Sequence, residues 1–256
     1  MQYTGSFLEV ALEAAQRAEE IILPYFQSNV ASSNKQDGSP VTEADQKAER
    51  VIREVISVAF PDHGFLGEEY GVTLEGSEYI WIIDPIDGTK EFIAGMPLFA
   101  TQIALVHKGE IILGVSNAPI LHEKMYAEKG KGAFLNGKPL RVSDVSTLGE
   151  AYALTGGLKY FANRNFTDAI AKLATNAKQH RIFGGFWSYH LLAQGKVECM
   201  IEVDTNFYDI AAVAIIVQEA GGKISTLDGQ PITFENQLDL IASNGRVHDQ
   251  ATTYFI

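Results

Sequence analysis

Asp84 and Asp87 stand three residues apart in Asp84-Pro85-Ile86-Asp87-Gly88-Thr89, directly after the apolar run Tyr79-Ile80-Trp81-Ile82-Ile83. Two carboxylates held close together repel unless protons or hard cations neutralise them, and all-oxygen ligation is what Mg²⁺ prefers. A bound cation in turn suits a phosphate. The run before them is rich in β-branched and aromatic residues, which predicts a strand covered on both faces. Pro85 and Gly88 predict a turn at its end that puts both carboxylates on one side. Pro-Ile-Asp-Gly is also ordinary turn chemistry, so acidic residues elsewhere must decide between a metal site and a simple bend.

Three more segments bring such residues. Leu66-Gly67-Glu68-Glu69 repeats the arrangement of an apolar approach, a glycine and acids, although a solvated charged turn has the same composition. Asp209, in Phe207-Tyr208-Asp209-Ile210-Ala211-Ala212, opens an apolar helix, and Asp45, in Val41-Thr42-Glu43-Ala44-Asp45, lies in the first turn of another. A carboxylate at either place also fits plain helix capping.

The elements that must position these residues follow from periodicity. Phe7, Ala11, Ala14, Ala15, Ala18, Ile21 and Ile22 recur at helical spacing, predicting an amphipathic helix over about 5–26 that Pro24 ends or bends. A polar loop with Lys35 follows, and Thr42 caps a second helix to about Ala59, with Ala48, Val51, Ile52, Val55, Ile56 and Ala59 as its buried stripe. Beyond Pro61-Asp62-His63-Gly64 and the Asp84 strand, a short helix is expected over Thr89 to Ala94. Ala100 to Val106 and Glu110 to Ser116 form a hairpin around Lys108-Gly109, continued by strands at 124–127 and 133–135. From about Asp144 the pattern alternates: strands near 152–155, 198–203, 223–226 and 238–242, and helices near 165–177, 186–193 and 210–220. No flexible linker separates an N-terminal half, 1–143, from a C-terminal half, 144–256, so the halves are expected to pack as one unit.

Composition narrows the function. The chain has 256 residues, 46% hydrophobic and 20% charged, which is the make-up of a globular protein with a substantial core. No apolar run approaches a membrane span, and Glu9, Glu13, Glu19 and Glu20 interrupt any leader-like start, so a cytoplasmic protein is expected. A net charge of −12 argues against nucleic acid, whose phosphates require clustered Lys and Arg. It would repel a phosphate ester too, unless bound cations reverse the local sign. The six histidines show no pairing at metal-ligand spacing, which argues against zinc, and the lone Cys199 reads as a small buried side chain. Trp187 and Tyr189 are candidates for a pocket wall or for core.

Together the segments resemble the inositol monophosphatase family of metal-dependent, lithium-sensitive phosphatases, nearly end to end. The likeness rests on Asp37-Gly38-Ser39-Pro40-Val41-Thr42-Glu43-Ala44-Asp45, Phe65-Leu66-Gly67-Glu68-Glu69, Trp81-Ile82-Ile83-Asp84-Pro85-Ile86-Asp87-Gly88-Thr89 and Tyr208-Asp209-Ile210-Ala211-Ala212, followed by Glu219-Ala220-Gly221-Gly222. It implies a layered α/β fold, the alternating α-β-α-β-α sandwich of sugar phosphatases, and a homodimer. It implies that Glu68, Asp84, the Ile86 carbonyl, Asp87 and Asp209 ligate two or three Mg²⁺ ions. Glu68, Thr89 and Asp45 would activate water, Asp45 by polarising the Thr89 hydroxyl, and the N–H groups of Gly88 and Thr89 would bind phosphate. Glu202, seven residues before Asp209, and Gly185, where the late helix begins, are the expected substrate contacts. The Asp37, Pro61-Asp62-His63-Gly64 and Gly95-Met96-Pro97-Leu98-Phe99 segments look closest to the histidinol-phosphatase branch, which would place the enzyme in histidine biosynthesis. An inositol phosphate stays open as substrate. So does a nucleotide bisphosphate, because Gly88-Thr89-Lys90-Glu91-Phe92 is similar to the bisphosphate nucleotidases. A regulatory or binding protein on the same scaffold is the reading from another class.

Overall fold

Ser6 and Glu9 start the first helix reciprocally. The Glu9 carboxylate accepts the Ser6 N–H at 2.7 Å while the Ser6 hydroxyl accepts the Glu9 N–H at 3.3 Å, so two otherwise orphaned donors are satisfied. Our computed structural model describes residues 5–28, 32–34, 40–73, 76–233 and 238–255. Helix α1 (Phe7–Ile22) buries Val10, Ala11, Ala14, Ala15, Ala18 and Ile22 and ends before Pro24, short of the expected Phe26. The pair β1 (Ser32–Asn34) and β2 (Pro40–Thr42) replaces part of the expected polar loop, whose Lys35 and Asp37-Gly38-Ser39 lie outside the described residues. Helix α2 (Glu43–Ala59) follows, capped by Thr42 as expected. Its buried face is Ala44, Asp45, Ala48, Glu49, Ile52 and Ile56, which puts two carboxylates among the apolar residues.

Next come β3 (Gly64–Gly67), β4 (Gly71–Thr73), β5 (Tyr79–Asp87), α3 (Thr89–Ile93), β6 (Ala100–His107), β7 (Glu110–Ala118), β8 (Glu123–Glu128), β9 (Gly132–Leu135) and β10 (Lys138–Pro139). The eight strands of this set form one sheet in the order β10-β9-β8-β7-β6-β5-β3-β4. Only β3 and β5 pair in parallel; every other pair is antiparallel, as expected of this half. The remaining elements are β11 (Tyr152–Thr155), α4 (Leu158–Asn163), α5 (Thr167–Asn176), β12 (Gln179–Ile182), α6 (Phe186–Ala193), β13 (Cys199–Thr205), α7 (Phe207–Glu219), β14 (Lys223–Thr226), β15 (Leu238–Ser243) and α8 (His248–Thr252). Their strands make a second sheet, β12-β11-β13-β15-β14. Its parallel edge strand β12 escaped periodicity because Gln-His-Arg-Ile carries no apolar alternation.

Three clusters show the layering. One joins α1 and α2 to the first sheet, a second packs α6 and α7 between both sheets, and a third places α4, α5 and α8 outside the second sheet. The result is the expected α-β-α-β-α sandwich. Helix α7 is apolar almost all round because it has a sheet on either side, with Ile210 through Val217 all buried. It approaches the first sheet at Gly114, where a Cβ would sit 2.4 Å from the Ala212 carbonyl oxygen. Gly114→Ala should therefore destabilise the protein by about 1–3 kcal/mol through overpacking. Urea titration checks this, and an unchanged midpoint would show that α7 can shift away.

Candidate active site

Strand β5 does not stop at Asp84. It runs on to Asp87, and the expected turn is instead a bulge: Asp84 pairs with Gln102 and Asp87 with Ala100, three steps on one strand against two on its neighbour. In an unbroken strand residues three apart face opposite sides, and the extra residue restores them to one side. The Asp84 Oδ1 accepts the Ile86 N–H at 3.0 Å, and the Pro85 carbonyl accepts the Thr101 hydroxyl at 2.9 Å, so the bulge is held from both edges. Strand β13 repeats the device. Glu202 pairs with Leu240 and Thr205 with Leu238, so a one-residue bulge again follows a carboxylate.

The other acids arrive from different elements. Glu68 leaves β3 with its N–H bonded to the Ile83 carbonyl at 3.0 Å, beside Asp84. Asp209 is the third residue of α7, where its Oδ2 accepts the Asn206 N–H at 2.9 Å and so completes a capping box. Asp45 does the same on α2: its Oδ2 accepts the Thr42 N–H at 2.8 Å and the Thr42 hydroxyl at 2.6 Å. For both residues capping and site membership hold at once. Thr89 places its hydroxyl between the Ile86 carbonyl, at 3.0 Å, and the other Asp45 oxygen, at 3.3 Å. Gly88 turns the chain into α3 with φ +97°, and a Cβ there would meet the Leu98 carbonyl oxygen at 2.5 Å, so no other residue fits.

Electrostatics bind these groups into one cluster. Burial, then the charges of Glu68, Asp87 and Asp209, push the Asp84 carboxyl well above the usual carboxylate range. Burial with Asp209, Glu202 and Glu68 does the same to Asp87, and burial outweighs the Asn206 hydrogen bonds to push Asp209 up to about 7. Asp45 is raised by burial, with a smaller contribution from Glu68. Hard oxygens that repel one another in a buried place fit a divalent cation, which would neutralise them. Among the described residues no three such side chains close into a cage around one point, so water and substrate oxygens would have to complete the shell.

The substrate side is built on Glu202. Its Oε1 accepts the Gly185 N–H at 3.0 Å and its Oε2 the Tyr189 hydroxyl at 3.0 Å. A Cβ on Gly185 would stand 3.6 Å from Asp87 Oδ1, which ties the start of α6 to the acidic cluster. Glu202 is thus no solvated strand end. Tyr189 is core by burial but polar at its tip, whereas Trp187 is half-buried with its ring edge-on to exposed Phe183 at 5.4 Å. Buried His190, between the Ser116 hydroxyl and Glu123, and buried His248, between Ser225 and Ser243, are core residues.

Two participants were not foreseen. Gln102 donates to Asp87 Oδ2 at 3.2 Å, and its buried Oε1 finds no donor among the described residues. Its position opposite Asp84 becomes visible only with the strand register. Glu49 sits one helical turn beyond Asp45 on the buried face of α2, and a glutamate at that i+4 position was a signal available from spacing alone.

The chain's likeness to known proteins agrees with this geometry. The model of the inositol monophosphatase family matches residues 5–255. A Chlorobaculum parvum protein called histidinol-phosphatase is 38% identical, covering 93% of this chain and 96% of its own. A Caulobacter vibrioides inositol-1-monophosphatase is 37% identical over the same shares of the two chains. The solved Thermotoga maritima IMPase superposes with a TM-score of 0.86 at 34% identity, covering 96% of this chain and 95% of that one. No helix among the described residues is long and apolar enough to cross a membrane. The chain belongs to the inositol monophosphatase family and is a phosphoric monoester hydrolase.

Proposed function

We propose that this enzyme hydrolyses L-histidinol phosphate to L-histidinol and phosphate with Mg²⁺ as its cation. The observation that carries the reaction type is the cluster of buried Asp84 with half-buried Glu68, Asp87 and Asp209 beside Gly88 and Thr89, a concentration of negative charge that only protons or cations would relieve. With the Ile86 carbonyl these carboxylates would hold two or three ions. When bound, those ions supply charge neutralisation for the phosphate, a water of lowered pKa and stabilisation of the leaving oxygen.

The chain's own groups do the rest. The N–H groups of Gly88 and Thr89, at the entry to α3, hold the phosphate oxygens. Asp45, kept from solvent and carrying two hydrogen bonds from Thr42, accepts the Thr89 hydroxyl proton, which leaves the Thr89 oxygen free to accept from the attacking water. Glu68 accepts the water's other proton. The water oxygen forms the new P–O bond as the ester P–O bond breaks in line; the leaving oxygen takes a proton from solvent water, Glu68 returns its own to solvent, and no phosphorylated side chain is formed.

Glu202 supports the choice of substrate. Glu202 is pushed up by burial, against the hydrogen bonds from Gly185 and Tyr189, so a cationic group on the leaving alcohol would relieve it. Each of its oxygens has a second lone pair to offer. The histidinol-phosphatase name of the Chlorobaculum relative supports this choice, while the Caulobacter relative supports inositol 1-phosphate with almost equal identity. The two halves, 1–143 and 144–256, would work as one unit in a homodimer. We expect kcat/KM for L-histidinol phosphate to exceed that for inositol 1-phosphate and adenosine 3′,5′-bisphosphate by about tenfold or more, the effect of roughly 1.4 kcal/mol. Competition among the three esters decides it, and a preference for the inositol ester would overturn the assignment.

A further inference from the structure

Glu49 is a fully buried carboxylate with no part in the chemistry above. It projects from α2 on the same face as Asp45, yet its partners lie in the turn that joins β3 to β4. Its Oε2 accepts the Glu69 N–H at 2.7 Å and its Oε1 the Tyr70 N–H at 3.3 Å. Arg53 approaches Oε1 through Nε at 2.8 Å and Nη2 at 2.7 Å. The same guanidinium donates to the Gly71 carbonyl at 2.7 Å and the Thr73 hydroxyl at 3.2 Å, and it lies over the Phe65 ring at 5.1 Å. Glu49 and Arg53 therefore clasp the turn from inside the fold.

Gly67 closes the clasp on the other side. A Cβ there would stand 1.9 Å from Glu49 Oε1 and 2.7 Å from Arg53 Nη2, so the chain presses directly on the ion pair. The residue between Gly67 and Glu69 is Glu68. Its backbone is thus fixed before it by contact with Glu49, after it by the hydrogen bond from Glu69, and at its own N–H by the Ile83 carbonyl beside Asp84. A buried ion pair is weak evidence for stability, since an apolar pair of the same volume often serves as well. What an apolar pair lacks is an acceptor for two consecutive N–H groups, and those bonds set the direction in which Glu68 leaves the turn.

We propose that Glu49, backed by Arg53, is a positioning residue that presents Glu68 to the catalytic cation. The proposal rests on Glu68 being a ligand of that cation. Groups that orient a ligand from behind typically change metal affinity 10–100-fold when removed. The test is the dissociation constant of Mn²⁺, measured by electron paramagnetic resonance on the full-length protein, for Glu49→Gln, Glu68→Gln and the double variant. Glu49→Gln should weaken binding about tenfold or more. In the double variant the loss should not exceed that of Glu68→Gln alone, because Glu49 acts through Glu68. Glu49→Met with Arg53→Met guards against misfolding, since it leaves no unpaired buried charge, and it should weaken Mn²⁺ binding as Glu49→Gln does. Unchanged affinity in both Glu49 variants, or losses that add to that of Glu68→Gln, would overturn the proposal. If Glu68→Gln itself binds Mn²⁺ normally, the ligand role of Glu68 fails and takes this proposal with it.

Discussion

Asp209→Asn should lower kcat/KM for phosphate release by on the order of 10³-fold or more, equivalent to about 4 kcal/mol of transition-state stabilisation. At the same time it should raise the melting temperature of the chelator-treated protein near pH 8. Both effects have one cause. Asp209 is buried among Glu68 and Glu202, which leaves its carboxyl at about 7, so its charge above that pH is opposed by the fold and useful only to a cation. The amide keeps an oxygen to accept the Asn206 N–H, so the cap of α7 survives. A purely structural aspartate would behave otherwise, leaving turnover unchanged. Near-normal phosphate release from the variant, or lost activity together with a lower melting temperature, would refute the role assigned to this residue.

The acids of the site were legible because each stands beside a break in apolar periodicity. Asp84 follows the unbroken apolar run of β5, Asp209 lies in the first turn of an apolar helix, and Asp45 lies three residues beyond a capping threonine. Their meeting was not legible from spacing, since it depends on α2, β3, β5 and α7 converging at the first sheet, and family likeness supplied it. The turn expected after Asp84 was a bulge because Pro85 lacks a ladder N–H yet keeps a carbonyl, and that carbonyl stays paired with Thr101. Gln102 and Glu49 escaped for a related reason. Their roles come from partners at the end of another strand, Asp87 for one and the Glu69–Tyr70 backbone for the other. Tyr189 was read as either core or pocket wall, and it divides between them: a buried ring whose hydroxyl holds Glu202.

Saturating Mg²⁺ should stabilise the protein more strongly as pH rises, with a melting-temperature gain near zero at about pH 5 that grows to about pH 8, because protons compete with the cation for the same oxygens. An acid whose pKa is higher in the folded state binds its proton more tightly there, so it leaves the native state unharmed below its ordinary value and destabilises it as pH climbs to the folded value. For Asp209 that window runs from 3.8 to about 7, and Asp84 and Asp87 are raised in the same direction. The buried histidines oppose this trend. His248 is pushed down from 6.5 to about 4 and His190 is also lowered, so each adds stability that is complete above the ordinary histidine range and lost as pH falls through its folded value. They lie in hydroxyl and Glu123 networks apart from the acidic cluster, so their contribution is the same with and without the cation and cancels in the difference. What remains is the charge of the carboxylates that the cation would neutralise. Thermal melts in Mg²⁺ and in chelator across that range test the point; a gain that does not change with pH would mean that the cation sits elsewhere.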